Sequence, residues 1–141
     1  MSALSSVGEA LSLNARLFPD KVGARDLVRS LTFRQWNERA CRLANALSGL
    51  GLVKGDRVAV LAYNCVEWLE IYAALAKAGL VAVPINFRLV GPEIRYIVEN
   101  AEASAFIVQA DLYDHVEPIR SELALADEQC IFTSLVPTHY I

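Results

Sequence analysis

Apolar residues step by three and four from Leu4 through Val7, Leu11 and Ala15 to Phe18. That spacing predicts one buried stripe on a helix over residues 4–18, ending at Pro19-Asp20. Val22 to Asp26 and Val28 to Phe33 alternate briefly around a polar turn and predict a short β-hairpin. Thr32-Phe33-Arg34-Gln35 then has capping-box form, a hydroxyl at the N-cap with Gln three positions on, so a helix should start there. Its stripe is Phe33, Trp36, Ala40, Leu43, Leu47 and Leu50, with Arg34, Glu38, Arg39 and Arg42 off it and Gly49 and Gly51 as stops.

The pattern changes after Lys54-Gly55-Asp56. Arg57 to Tyr63 is continuously apolar after its first residue, which predicts a strand buried on both faces and hence a parallel sheet. Asn64 is the expected N-cap of a helix over residues 65–78, with Glu67 in its first turn and Gly79 at its end. Leu80 to Pro84 reads as a second buried strand, Gly91-Pro92-Glu93 as a helix start, and Ser104 to Val108 as a third strand. Asp111 to Leu123 predicts a helix that Pro118 must kink or interrupt, before a fourth strand at Gln129 to Phe132. Strand and helix alternate three times, so the predicted fold is α/β: an open, largely parallel sheet layered by helices, preceded by an N-terminal helix and a short hairpin. The helix at 65–78 is apolar around nearly its whole circumference, which suits burial inside something large.

Composition sharpens that last point. The 141 residues are 55% hydrophobic and 21% charged, with a mean hydropathy of +0.34, high for a soluble domain. The longest stretch free of Asp, Glu, Lys and Arg is the 13 residues from Gln129 to Ile141, too short to span a bilayer. The first residues lack a basic start and a long apolar run, so the expected compartment is the cytoplasm. Cys41, Cys65 and Cys130 form no C-x-x-C pair and read as small buried hydrophobes. A net charge of -3 with singly scattered Lys and Arg offers no nucleic-acid stripe. Small molecules and protein partners remain.

Gly49 to Gly55 looks like a dinucleotide loop, but its glycines follow a helix and precede a strand, the reverse of what pyrophosphate binding needs; it reads as a C-cap and turn. No Walker A sequence, G-x-S-x-G elbow or H-E-x-x-H occurs. His115 and His139 read as solvated or hydrogen-bonded side chains, and Glu67 and Glu70 as first-turn charges. Pro84 to Leu89 is different, because it lies beyond the carboxyl end of a predicted parallel strand, where open α/β sheets place ligands. Arg88 there either grips a phosphate bidentately or pairs with a nearby carboxylate or caps a helix.

The order of segments resembles the N-terminal part of the adenylate-forming superfamily, whose members are AMP-forming acyl-CoA synthetases, peptide-synthetase adenylation domains and luciferases. The residues that carry the resemblance are Phe18-Pro19-Asp20-Lys21-Val22, Leu31-Thr32-Phe33, Arg42-Leu43-Ala44, Gly51 to Val58, Asn64, and Lys77 to Leu89. It implies that the chain is part of a larger N-terminal, AMP-binding domain. The enzyme would activate a carboxylic acid, fatty or otherwise apolar, with ATP and Mg²⁺, and pass the acyl group to CoA. The Arg of the N-x-R-L segment, here Arg88, is by this resemblance the one associated with the CoA nucleotide phosphate; no catalytic or metal-binding residue is carried over. Alternatives are a peptide-synthetase adenylation domain, which delivers to a carrier-protein thiol, and a non-catalytic remnant or interaction module.

The family's phosphate loop, Y-T-S-G-T-T-G-x-P-K-G, has only a partial counterpart in Ile131-Phe132-Thr133-Ser134, which continues without glycines or lysine. The 141 residues alone are therefore expected not to adenylate, nor to bind ATP or CoA well. Residues 133–141 are read as a truncated or rearranged tail, by truncation or by internal deletion. The high hydrophobic content is then part of a larger core, and self-association of the chain is expected.

Overall fold

The computed structural model of the chain describes residues 6–133. The tail expectation for 134–141 lies outside them, as does His139. The elements in order are α1 (Val7–Leu17), β1 (Val22–Arg25), β2 (Ser30–Thr32), α2 (Phe33–Gly49), β3 (Arg57–Leu61), α3 (Val66–Ala78), β4 (Val81–Ile85), α4 (Gly91–Asn100), β5 (Ala105–Gln109), α5 (Tyr113–Val116) and β6 (Cys130–Thr133). The α/β expectation holds: β3 to β6 form a parallel sheet in the order β4-β3-β5-β6, and β1 and β2 pair as a separate antiparallel hairpin. Among the described residues no helix is long and apolar enough to cross a membrane.

The chain divides into two compact units. One holds α1, the hairpin, α2 and α3. The expected capping box opens α2, with Gln35 N–H donating to Thr32 Oγ1 at 3.2 Å and Thr32 N–H donating to Gln35 Oε1 at 2.9 Å. Small side chains meet in the core of this unit, Ala40 and Ala44 from α2 with Ala73 and Ala74 from α3, beside Leu11 of α1. Trp36 Nε1 donates to the Leu69 carbonyl at 3.0 Å, and Arg39 pairs with Glu70 at 2.7 Å. Gly79 ends α3 in the left-handed region, φ 72°, where a residue with a Cβ is strained.

The start of α3 differs from expectation. Its N-cap is Cys65, not Asn64, and Cys65 makes no side-chain cap bond. The carboxylate of Asp26, from the hairpin turn, accepts the Val66 N–H at 3.1 Å in its place. The same carboxylate accepts from Val28 N–H at 2.9 Å and Arg29 N–H at 2.7 Å. Glu67 stands in the first turn of α3 as expected, but it is 5% exposed and bridged bidentately by Arg29, Nη2 donating to Oε2 at 2.8 Å with Nη1 against Oε1. A buried carboxylate survives only with such a partner, so the hairpin supplies both the cap and the counter-charge for α3. Of the cysteines, Cys130 is buried and Cys41 and Cys65 are half-buried. Burial, helped by Glu67, pushes the Cys65 thiol up to about 12, which keeps it protonated.

The other unit is the sheet with α4 and α5. Val58, Ala59, Val60 and Leu61 of β3 and Ala105 to Val108 of β5 are buried, as their unbroken apolarity requires, and the polar Gln109 at the end of β5 is buried with them. Ala59 lies opposite Phe106 and Leu61 opposite Val108, and all four join Ile94 and Val98 of α4 and Val116 of α5 in one core. The strand β4, expected to be buried, is an edge strand: Val81 is 48% exposed and Pro84 is exposed too. That position tolerates Pro84, which has no N–H to give a ladder. The helix expected over Asp111 to Leu123 is broken into α5 between 3₁₀ turns at Ala110–Leu112 and Glu117–Glu122, with Pro118 in the second turn.

Burial raises the pKa of the Asp26 carboxyl, but its three backbone donors and the Arg29 guanidinium outweigh it and hold the group down at about 2. A depressed folded pKa contributes stability above the unfolded value of 3.8, on the order of 2 kcal/mol, and loses it as pH falls through about 2. Asp26→Asn should therefore be less stable than the parent chain at pH 6, with the gap nearly closed at pH 2. Urea midpoints at the two pH values check this.

Candidate functional site

Parallel pairing puts the carboxyl ends of β3, β4 and β5 side by side, and each strand continues into polar or aromatic residues there. From β3 comes Tyr63, from β4 come Asn86, Phe87 and Arg88, and from β5 come Gln109 and Asp111. The three ends are tied together. The Tyr63 and Phe87 rings meet edge to face, 5.0 Å between centroids. Gln109, 7% exposed, accepts the Tyr63 N–H on Oε1 at 2.9 Å and donates from Nε2 to Asp111 at 3.0 Å.

Arg88 is exposed, and its guanidinium lies over the Phe87 ring at 5.5 Å. Among the described residues no carboxylate pairs with it, nor with Arg16 or Arg25, whereas Arg29, Arg34, Arg39, Arg42, Arg57, Arg95 and Arg120 are all paired. At the following α4 N-terminus it is Glu93 that accepts the Val90 N–H, at 3.0 Å; a guanidinium only donates and cannot cap there. The Asn86 side chain accepts the Arg88 N–H at 3.0 Å and the Asn86 carbonyl accepts the Leu89 N–H at 3.1 Å, so the loop is a tight turn that presents the guanidinium outward. Next to it an apolar depression of about 490 Å³ is lined by Leu89, Pro92, Glu93, Tyr96 and Ile97.

An exposed guanidinium on an aromatic face, with no internal counter-ion among the described residues, suits a phosphoryl or carboxylate anion attached to something flat. The side chains around it offer hydrogen-bond donors, acceptors and aromatic faces, which suit binding. Among the described residues no group of three His, Cys, Asp or Glu side chains could hold a metal ion. Sequence reasoning found Arg88 but missed Tyr63 and Gln109. The available signal was a polar residue closing each predicted apolar strand; it needed the strand order to become a site. His115, expected to be solvated or hydrogen-bonded, is bonded, with Nδ1 3.3 Å from the Leu89 carbonyl.

Comparison with known proteins places the chain. The family model described as AMP-binding enzyme matches residues 11–138. A crotonobetaine/carnitine–CoA ligase from Salmonella paratyphi B is 38% identical over 96 residues, covering 68% of this chain and 19% of its own length. The chain thus spans about a fifth of the curated relatives it matches. Among solved structures, an anthranilate CoA ligase in complex with anthranoyl-AMP superposes with a TM-score of 0.85 at 29% identity, over 94% of this chain and 26% of that one. A fatty acyl CoA synthetase from Mycobacterium tuberculosis gives 0.78 at 31% identity, over 91% and 26%.

Gln109 is the buried tie across the strand ends. Gln109→Leu fills the space but strands the Tyr63 N–H, and should cost about 1–3 kcal/mol. Denaturant unfolding of the two chains measures it; an unchanged midpoint would remove Gln109 from this role.

Proposed function

Because the chain belongs to the AMP-binding enzyme family, we propose that it is part of the N-terminal domain of an AMP-forming acyl-CoA synthetase. Such an enzyme joins a carboxylic acid to the α-phosphate of ATP, taken up with Mg²⁺, and releases pyrophosphate; the CoA thiolate then attacks the acyl carbon and AMP departs. Adenylation turns a carboxylate oxygen into a good leaving group, so the thioester forms without a strong base. CoA ligases among the relatives of known activity support CoA as the acceptor in preference to a carrier protein. Similarity to the fatty acyl CoA synthetase supports an apolar acid.

Within this reaction the described residues bind and orient. Arg88 receives the nucleotide phosphate of CoA, with Phe87 beneath its guanidinium; the observation that carries this is an exposed Arg at the carboxyl edge of the sheet with no carboxylate partner among the described residues. Two parallel N–H donors can then meet two phosphate oxygens. Adenylation is supplied by chemistry elsewhere in the enzyme, so the two half-reactions separate at Arg88.

Charge-assisted hydrogen bonds are worth about 1.5–3 kcal/mol. In the full-length enzyme Arg88→Ala should accordingly raise KM for CoA by about ten- to a hundredfold, while acyl-adenylate formation, followed by ATP–pyrophosphate exchange, stays near the parent rate. Dephospho-CoA should show little of this loss. Equal loss in both half-reactions would contradict the assignment.

A further inference from the structure

Among the described residues the face of Phe87 is the one side-chain contact of the Arg88 guanidinium, so its position follows the backbone of residues 87–90. The hydrogen bonds that shape this loop are almost all internal to residues 86–94: Arg88 and Leu89 N–H to Asn86, Val90 N–H to Glu93, and Glu93 and Ile94 N–H to Val90. They fix its shape. The loop meets the rest of the sheet unit through the Phe87 ring on Tyr63 and the packing of Phe87 and Leu89 on the core, and, among the described side-chain hydrogen bonds, through one from α5. His115 of α5, half-buried, places Nδ1 3.3 Å from the carbonyl oxygen of Leu89, the residue directly after Arg88. A carbonyl only accepts, so the imidazole is the donor and its proton sits on Nδ1.

The far end of the loop lies against the same segment. A Cβ built on Gly91 would stand 3.0 Å from Ile119 Cγ2 and 3.4 Å from the His115 carbonyl oxygen, so the absent side chain lets the loop lie against the backbone that carries the imidazole. Between these two contacts Leu89 packs its side chain on the core of the sheet unit.

We infer that His115 is a positioning residue for Arg88: its Nδ1–H fastens the Leu89 carbonyl and thereby holds the guanidinium where the CoA phosphate arrives. This rests on the CoA reading of Arg88. Its effect is pre-organisation, because an unfastened loop must be ordered each time the nucleotide binds. A neutral hydrogen bond of this kind corresponds to about a three- to tenfold change in affinity.

Two substitutions separate fastening from packing. His115→Phe keeps an aromatic ring and deletes the donor, whereas His115→Asn deletes the ring and keeps an N–H at the δ position. In the full-length enzyme, calorimetric titration with CoA and with dephospho-CoA should show weaker CoA binding for His115→Phe, by about three- to tenfold, and near-parent binding for His115→Asn. Dephospho-CoA binding should barely change in either. Adding His115→Phe to Arg88→Ala should cost nothing further. If Arg88→Ala weakens CoA binding and His115→Phe does not, the positioning role fails and the CoA reading stands. The reverse ranking of Phe and Asn, or equal losses for CoA and dephospho-CoA, likewise overturns it. If Arg88→Ala itself leaves CoA binding unchanged, the CoA reading falls and takes this inference with it.

Discussion

The site depends on the parallel pairing of β3 with both β4 and β5. Parallel strands all finish at the same edge, so residues far apart in the chain, Tyr63, Asn86 to Arg88 and Gln109, arrive within hydrogen-bond and ring-contact distance of one another. A slip of one residue would exchange Ala59, Leu61, Phe106 and Val108, which share a core with α4 and α5, for the equally buried Val58, Val60, Ala105 and Ile107 of the opposite face, so the shape of each core and not burial alone distinguishes the registers. The hydrophobic core thus determines where an exposed, charged side chain stands. Arg88 itself is exposed.

The helical unit is governed by a different constraint. Glu67 is buried near the start of α3, and a buried carboxylate without a partner costs several kcal/mol. Arg29 and Asp26, both in the hairpin, answer that cost with a bidentate ion pair and a cap for Val66. A small two-stranded hairpin is marginal by itself; here it is locked by the charge it neutralises. The exposed apolar residues of the helical unit, among them Leu17, Phe18 and Leu27 at 94% exposure, agree with a composition richer in hydrophobic residues than the chain buries.

Features decided by neighbours in sequence were legible from it. The capping box at Thr32, the left-handed Gly79 and the unbroken apolarity of β3 and β5 each carry their cause within a few residues. Features decided by partners far along the chain were not. The cap of α3 comes from Asp26, 40 residues from Val66, and so Asn64 looked the better candidate. Glu67 reads only as a first-turn charge until Arg29 is placed beside it. Leu80 to Pro84 is apolar enough for an interior strand, and only the sheet order makes it an edge. The site divides in the same way: Arg88 was found from its place after a strand, whereas Tyr63, Gln109 and His115 needed the strand order and the α5 contact.

The proposed CoA contact lies at one sheet edge, at an arginine that no described carboxylate pairs with and a loop that His115 touches. The most direct test is an NMR titration of the ¹⁵N-labelled full-length enzyme with adenosine 3′,5′-bisphosphate, which carries the nucleotide phosphates of CoA without its thiol arm. Amide shifts clustered at Tyr63, Phe87, Arg88 and Leu89, much reduced with adenosine and in Arg88→Ala, are the predicted result. Shifts that leave this edge untouched would contradict it.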